Sequence, residues 1–180
     1  VLMLGRVAPN KGHAALFDAF ACYRRHYAAD ARLLVVGKHD RRLARYSRHL
    51  RDHCAALGIS ENVHFLDNID DTRLKACWLV ADALLMLSEH EGFCVPLVEA
   101  MALGVPIIAR DRGAIGETLG RAGLAWQESD PRLYAASLDR LARDAAAAEV
   151  LRLAGRERYR LQFAPDVLAA RLADALAAFA

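Results

Sequence analysis

The sequence predicts an α/β fold, a Rossmann-like parallel sheet with helices on both faces. Three observations carry this. Short apolar runs recur at residues 1–4, 32–37, 63–66, 83–87 and 105–109. They are apolar almost throughout rather than alternating, the pattern of strands covered on both faces. Longer segments with apolar residues at helical spacing separate them, and Gly, Pro, Asn and Asp mark the junctions. Strands alternating with helices imply right-handed crossovers and a parallel sheet.

Taken in order, the first strand ends at Gly5 and Arg6. Pro9, Asn10 and Gly12 make residues 7–12 a turn-rich loop. Residues 13–27 are helical, with Ala14, Phe17 and Ala21 on one face. The second strand closes at Gly37, and residues 38–40 lead into a long, very basic helix over residues 41–57 that Gly58 stops. After the third strand and a loop, Asp71 and Thr72 begin a helix reaching about residue 81. The fourth strand delivers the chain into residues 88–109, SEHEGFCVPLVEAMALGVPIIA. Here a polar loop turns at Glu91 and Gly92. Pro96 is pre-set for a first helical position, and Leu97, Val98, Met101 and Ala102 supply an apolar face. Gly104 ends that helix and the fifth strand follows. Residues 113–119 form a short helical turn and residues 124–127 a last edge strand. Asp130 and Pro131 start a helix. The remainder is helical, interrupted near Gly155 and Pro165, with an amphipathic Ala- and Leu-rich tail over residues 166–180.

At 180 residues and 55% hydrophobic, residues 1–180 are expected to form one domain with a sizeable core. A net charge of +2 is too small to indicate nucleic acid or an anionic membrane as partner. No apolar run approaches the roughly 20 residues that span a bilayer, and no signal peptide is evident. Cys22, Cys54, Cys77 and Cys94 are scattered without a C-x-x-C pair, so a reduced, cytoplasmic protein without zinc is the simplest reading. The chain begins without Met and already as a strand. It therefore reads as a fragment whose missing domain would hold part of any active site.

In open α/β sheets, ligands bind beyond the carboxyl ends of the strands. Two features there can bind phosphate. Arg6 and Lys11 lie five residues apart across a tight turn. The helix near Pro96 offers free N–H groups and roughly half a unit of positive charge at its start. Together they would form a clamp for a diphosphate, which it would also stabilise as a leaving group. No G-x-G-x-x-G follows a strand and no G-x-x-x-x-G-K-[ST] occurs, which disfavours a dinucleotide cofactor and a P-loop. Glu91 sits in a loop where it can meet a sugar, and Gly92 permits close backbone approach. Glu99 lies in about the first helical turn, where its carboxylate can accept from two ribose hydroxyls.

Plainer readings exist for each. Ser88-x-x-Glu91 also fits a capping box. Glu99 also complements a helix dipole, and Arg6 and Lys11 also read as solvated loop charges. Their joint occurrence at matching strand ends favours a site. His49 and His53 are four apart on a helix but lack an acidic partner motif, so they read as a solvated face and no metal is expected. His90 has no evident partner. Cys94 reads as a packed thiol rather than an activated one, and Trp78 and Trp126 as core.

The ordered motifs resemble the group 1 (family 4) retaining glycosyltransferases. SEHEGFCVPLVEAMALGVPIIA resembles their E-x7-E region. GRVAPNKG, which starts at Gly5, resembles their Gly-Arg-…-Lys-Gly loop. LLVVGK, NVHFLDNIDDTRLKACWLVADALLMLSE and RGAIGETLGRAGLAW resemble their intervening and following segments, in the same order up to Trp126. The resemblance implies the C-terminal, donor-binding half of a GT-B enzyme, facing an N-terminal acceptor domain across a cleft. It implies that Arg6 and Lys11 hold the diphosphate of a nucleotide-sugar donor, GDP- or UDP-linked. Glu91 would contact the transferred sugar near its anomeric face, completing a catalytic set with Arg6 and Lys11. Main-chain N–H groups from Gly92 through Phe93, Cys94 and Val95 to Leu97 would touch sugar and phosphates. Glu99 would hold the ribose, with Gly37, Phe65 and Asn68 near the nucleoside.

The resemblance further implies retention of configuration without a metal or other cofactor. The acceptor would be a polysaccharide or lipid-linked glycan, and the full-length enzyme would sit in the cytoplasm or peripherally at the inner membrane face. The isolated domain would be inactive alone. Two positions depart from the family pattern. Cys94 stands where glycine is common, and the segment at Arg112, Gly113 and Ala114 lacks paired glycines. Rival readings are a non-catalytic nucleotide-sugar binding module and a GT-B epimerase or phosphorylase. The E-x7-E arrangement disfavours the epimerase, and no cofactor-lysine signature supports the phosphorylase.

Overall fold

The computed structural model describes residues 1–178. In chain order it runs β1 (Leu2–Leu4), α1 (His13–His26), β2 (Leu33–Val36), α2 (Ala44–Ala56), β3 (Val63–Leu66), α3 (Asp71–Leu79) and β4 (Leu84–Met86). It continues with α4 (Val95–Leu103), β5 (Ile107–Arg110), α5 (Ile115–Leu119), β6 (Leu124–Trp126), α6 (Pro131–Arg143), α7 (Ala145–Gln162) and α8 (Pro165–Ala177). The strands form one sheet of order β3-β2-β1-β4-β5-β6, every pairing parallel. The chain winds outward from β1 to β3, returns to the other side of β1, and winds outward again to β6. The reversal between β1 and β4 is a topological switch point, and it leaves a crevice at the carboxyl edge.

The predicted α/β architecture is therefore present, and burial explains it. Leu84, Leu85 and Met86 are consecutive and all fully buried, as are Ile107, Ile108 and Ala109. Neighbouring strand residues point to opposite faces, so both faces must be covered. α1 packs with α2 and α6, and α4 packs with α5 and α7, which supplies the two layers. β6, at one edge, is only half-buried.

Aspartates fix several helix starts. Asp70 accepts from the Arg73 amide at 2.8 Å and Asp130 from the Arg132 amide at 2.9 Å. The predicted basic helix is a single 3₁₀ turn (Arg41–Leu43), capped by Asp40, that passes into α2. The predicted break at Gly155 does not occur, since α7 runs through it. A Cβ at Gly155 would lie 3.5 Å from the Met101 Cα, so the glycine serves the approach of α7 to α4. The break falls instead at Asp144, whose carboxylate accepts from the Ala147 amide at 2.9 Å and begins α7. Pro165 does separate α7 from α8. α8 is amphipathic as expected, with Leu168, Leu172 and Leu176 exposed. The last two tail residues, Phe179 and Ala180, lie outside the described residues.

His13 opens α1 and is fully buried, edge-on to Phe17 and Tyr46 at 6.4 and 6.3 Å between ring centroids. Neither ring nitrogen has a partner among the described residues. Burial pushes its pKa from 6.5 down to about 4, because a charged ring loses its hydration there. Between those values the unfolded chain takes up a proton that the folded chain refuses. The contribution of neutral His13 is complete above pH 6.5 and falls as the pH drops towards 4, by up to ~3 kcal/mol. His13→Leu should flatten the loss of stability between pH 6.5 and 4 in urea denaturation. An unchanged slope would show that other groups carry it.

Candidate functional site

Two backbone contacts join the loops that follow β1 and β4. Gly12 has φ 66°, and a Cβ there would lie 1.8 Å from the Leu87 carbonyl oxygen, so no side chain fits. Two residues earlier, the Asn10 carbonyl accepts from the Glu89 amide at 2.9 Å. The first loop is thereby pressed onto the end of β4. Lys11, on a 3₁₀ turn (Pro9–Lys11), reaches across, and its Nζ donates to Glu91 Oε1 at 2.6 Å. The Ser88 hydroxyl donates to the same oxygen at 2.7 Å. Ser88 is fully buried and Glu91 nearly so, at 8% exposure. Ser88 is therefore no helix cap, because its hydroxyl is spent on the Glu91 carboxylate.

The segment after β5 holds Glu91 from the other side. The Glu91 carbonyl accepts from the Ala114 amide at 2.9 Å. Gly113 has φ 60°, and a Cβ there would lie 2.4 Å from the same carbonyl oxygen. One glycine is thus required in this segment, for close packing on the Glu91 peptide. The Thr118 hydroxyl adds a bond to the Phe93 carbonyl at 2.8 Å.

α4 begins at Val95, with Cys94 in the left-handed conformation at φ 68° before it. Pro96 is the second helical residue rather than the first. The apolar face is also turned from the expected one: Leu97, Ala100 and Met101 are buried, whereas Val98 is half-buried and Ala102 exposed. A side chain at positive φ costs about 1 kcal/mol relative to glycine, which gives the departure at Cys94 a backbone meaning. The Cys94 thiol is enclosed, and burial, reinforced by the Glu91 carboxylate, pushes its pKa up to about 12. It is a packed, protonated thiol.

The amides of Gly92, Phe93 and Cys94 donate to no group among the described residues, and Val95 opens the helix without a preceding turn to bond. Leu97 is different. Its amide donates to the Cys94 carbonyl at 3.0 Å and its side chain is fully buried in the core, so it is not one of the unbonded amides. Glu99, the fifth residue of α4, is half-buried. Its Oε2 is sealed from solvent without a partner among the described residues. Burial raises its pKa above the ordinary carboxylate value. It is an acceptor in want of a donor, not an exposed charge serving the helix dipole.

The Arg6–Lys11 pair is split. Lys11 is neutralised by Glu91, while Arg6 is exposed and has no ion-pair partner among the described residues. Arg6 lies on the side of Asp40, whose carboxyl is held low chiefly by hydrogen bonds from Arg42, with Arg6 adding a smaller attraction. A Cβ on Gly37 would meet the Gly5 carbonyl oxygen at 1.9 Å, so Gly37 lets the ends of β1 and β2 touch. Phe65 is taken up in packing. Its ring stands edge-on to Phe17 and His39 at 5.8 and 6.0 Å, with the Arg51 guanidinium 4.9 Å from its centroid. Asn68, beyond the end of β3, is exposed at φ 52°.

Other singled-out residues fall away from the crevice or take structural parts. His53 is not simply solvated, because its Nε2 lies 2.8 Å from Asp18 Oδ1 on α1. His49 stacks on it at 6.4 Å. No group of three or more metal-ligating side chains occurs among the described residues. Trp78 is buried, and Trp126 donates to the Ser137 hydroxyl at 3.1 Å. His90 is exposed beside Gly113. A cavity of about 780 Å³ lies at the opposite, amino-terminal edge of the sheet, near Arg32 and Asp82, and touches none of the site residues. Sequence reasoning missed the parts played by Ser88 and Gly113. The three-residue spacing from Ser88 to Glu91 was the available signal for the first.

Comparison with known proteins gives the family and the fold. Residues 1–158 match the family of glycosyl transferases group 1. The chain is 31% identical over 170 residues to a D-inositol 3-phosphate glycosyltransferase of Jonesia denitrificans, covering 92% of this chain and 40% of that protein. It is 30% identical over 185 residues to a GDP-mannose-dependent alpha-(1-6)-phosphatidylinositol monomannoside mannosyltransferase of Mycobacterium tuberculosis, covering 98% of this chain and 46% of the other. The chain thus spans less than half the length of these relatives. Among solved structures, the C-terminal domain of a glycosyl transferase group 1 family protein from Francisella tularensis superposes with TM-score 0.79 at 22% identity, covering 90% of this chain and 84% of that one. A sucrose-phosphate synthase from Thermosynechococcus elongatus superposes with TM-score 0.86 at 26% identity, covering 99% and 44%. With its loops after β1 and β4 meeting at the switch point of a six-stranded parallel sheet, and a family match over most of its length, the chain belongs to the group 1 glycosyl transferases and has the fold of their C-terminal domain.

Proposed function

We propose that the chain is the donor-binding half of a retaining glycosyltransferase that uses a nucleotide-diphosphate sugar and no metal. The observation that carries this is the convergence of Lys11, Ser88 and Glu91 at the switch point, beside the unbonded amides of residues 92–94. Arg6 supplies the free cation for the diphosphate, and the loop amides oppose it. Lys11 has further N–H groups beyond the one given to Glu91, so it can serve the phosphates as well. Negative charge grows on the diphosphate as the glycosidic bond breaks, and preorganised donors there lower the barrier. Glu91 takes a hydroxyl of the transferred sugar. Glu99 takes the ribose, whose hydroxyls supply the donors that its sealed oxygen lacks. Gly37 and Asn68 border the nucleoside.

A relative named as GDP-mannose-dependent supports GDP as the carrier, with UDP the alternative. Acceptor contacts fall to the part of such proteins that this chain does not span. The relative named for phosphatidylinositol monomannoside favours a polysaccharide or lipid-linked acceptor, with a soluble inositol phosphate, as in the name of the other relative, the alternative. A lipid-linked acceptor would place the enzyme in the cytoplasm, working peripherally at the membrane. Among the described residues no helix is long and apolar enough to cross one.

A nucleoside diphosphate at 100 times its Kd should stabilise the protein by about 2.7 kcal/mol, raising Tm by roughly 5–10 °C. Thermal shift with GDP, UDP and ADP measures this, with CMP as a monophosphate comparison, and no shift from any of the four contradicts the proposal. In the full-length protein, Glu91→Gln should lower turnover by about 100-fold or more without weakening nucleoside diphosphate binding. Undiminished turnover would remove Glu91 from the sugar.

A further inference from the structure

We infer that Ser88 is a positioning residue, the one holder of the Glu91 carboxylate that a bound diphosphate cannot draw away. The inference rests on the donor-site reading above. Lys11 and Ser88 both donate to Oε1, at 2.6 and 2.7 Å. Two donors fill the lone pairs of that oxygen. Oε2 accepts from no group among the described residues and is not sealed from solvent, so it stays open to a hydroxyl of the donor sugar.

The two holders respond differently to a donor. Lys11 is a cation within a proposed phosphate clamp, and a diphosphate competes with Glu91 for it. Ser88 is a neutral donor and is indifferent to that charge. Its surroundings leave it little freedom. It is fully buried, Leu87 before it is clamped by Gly12, and the Glu89 amide after it is bonded to Asn10. The Ser88 hydroxyl therefore keeps Oε1 fixed, and Oε2 aimed, while Lys11 is shared with the phosphates. The sugar part of donor affinity should depend on Ser88, and the nucleoside diphosphate part should not.

Calorimetry on the full-length protein tests this, with GDP against GDP-mannose and UDP against UDP-glucose as probes. Wild type should gain affinity from the sugar. Ser88→Ala should bind the diphosphate within about twofold of wild type and lose about tenfold of the sugar-dependent gain, the scale of one hydrogen bond to a charged group. Ser88→Thr, which keeps the hydroxyl, should restore the gain. Ser88→Cys, which fills the same space with a weak donor, should not, and it replaces the alanine variant should that variant fail to fold. A sugar gain that survives in Ser88→Ala or Ser88→Cys overturns the inference. So does an equal loss for diphosphate and donor, the mark of a purely structural role. So does a wild type that binds diphosphate but gains nothing from the sugar. A wild type that binds neither ligand overturns the donor-site reading itself, and is told apart by the missing diphosphate binding.

Discussion

The contact of Gly12 with the Leu87 carbonyl is the constraint on which the site depends. It presses the loop after β1 onto the end of β4, at the one place where the winding of the sheet reverses. Lys11 comes next to Gly12 and Ser88 next to Leu87, so one close backbone approach sets a cation and a hydroxyl around the same carboxylate oxygen. Gly113 repeats the device on the other side of Glu91. Glycine serves here because any Cβ would enter the neighbouring peptide. The conformational entropy it costs the fold is small beside that clash.

The Lys11–Glu91 pair is weak evidence for stability. Its side chains are 15% and 9% exposed, so both charges have lost most of their water, and their attraction offsets that loss only with good geometry and further hydrogen bonds. Ser88 supplies one such bond. The group members left unsatisfied are more telling: the sealed Oε2 of Glu99 and the free amides of residues 92–94. A folded chain seldom leaves a buried oxygen such as that of Glu99 without a partner, while the amides of the exposed Gly92 and Phe93 stay open to water or a ligand. The orphaned nitrogens of His13 belong to a different economy. They sit in an aromatic cluster under the first loop, and the imidazole meets its burial by staying neutral.

The fold was legible because its signal is hydropathy. Runs such as residues 83–87 and 105–109 bury side chains on both faces, and composition alone records that. Breaks were less legible. Gly155 looks like a helix breaker until α4 is placed against it, and Asp144 acts as a cap only because α6 turns there. At the site, the residue types at Arg6, Lys11, Glu91 and Glu99 were readable, but their pairing was not. Sequence spacing cannot show that Lys11 closes on Glu91, eighty positions away. It cannot show that the Leu97 amide is already bonded, or that the half-buried Phe65 packs against Phe17, His39 and Arg51. Those are facts of register and loop contact, set by tertiary structure.

Backbone amide NMR during titration with a nucleoside diphosphate tests the central claim most directly. The account predicts the largest shifts at Gly92, Phe93, Cys94 and Val95, together with Arg6 and Lys11. Shifts concentrated instead around Arg32 and Asp82, at the cavity on the opposite edge of the sheet, would contradict it.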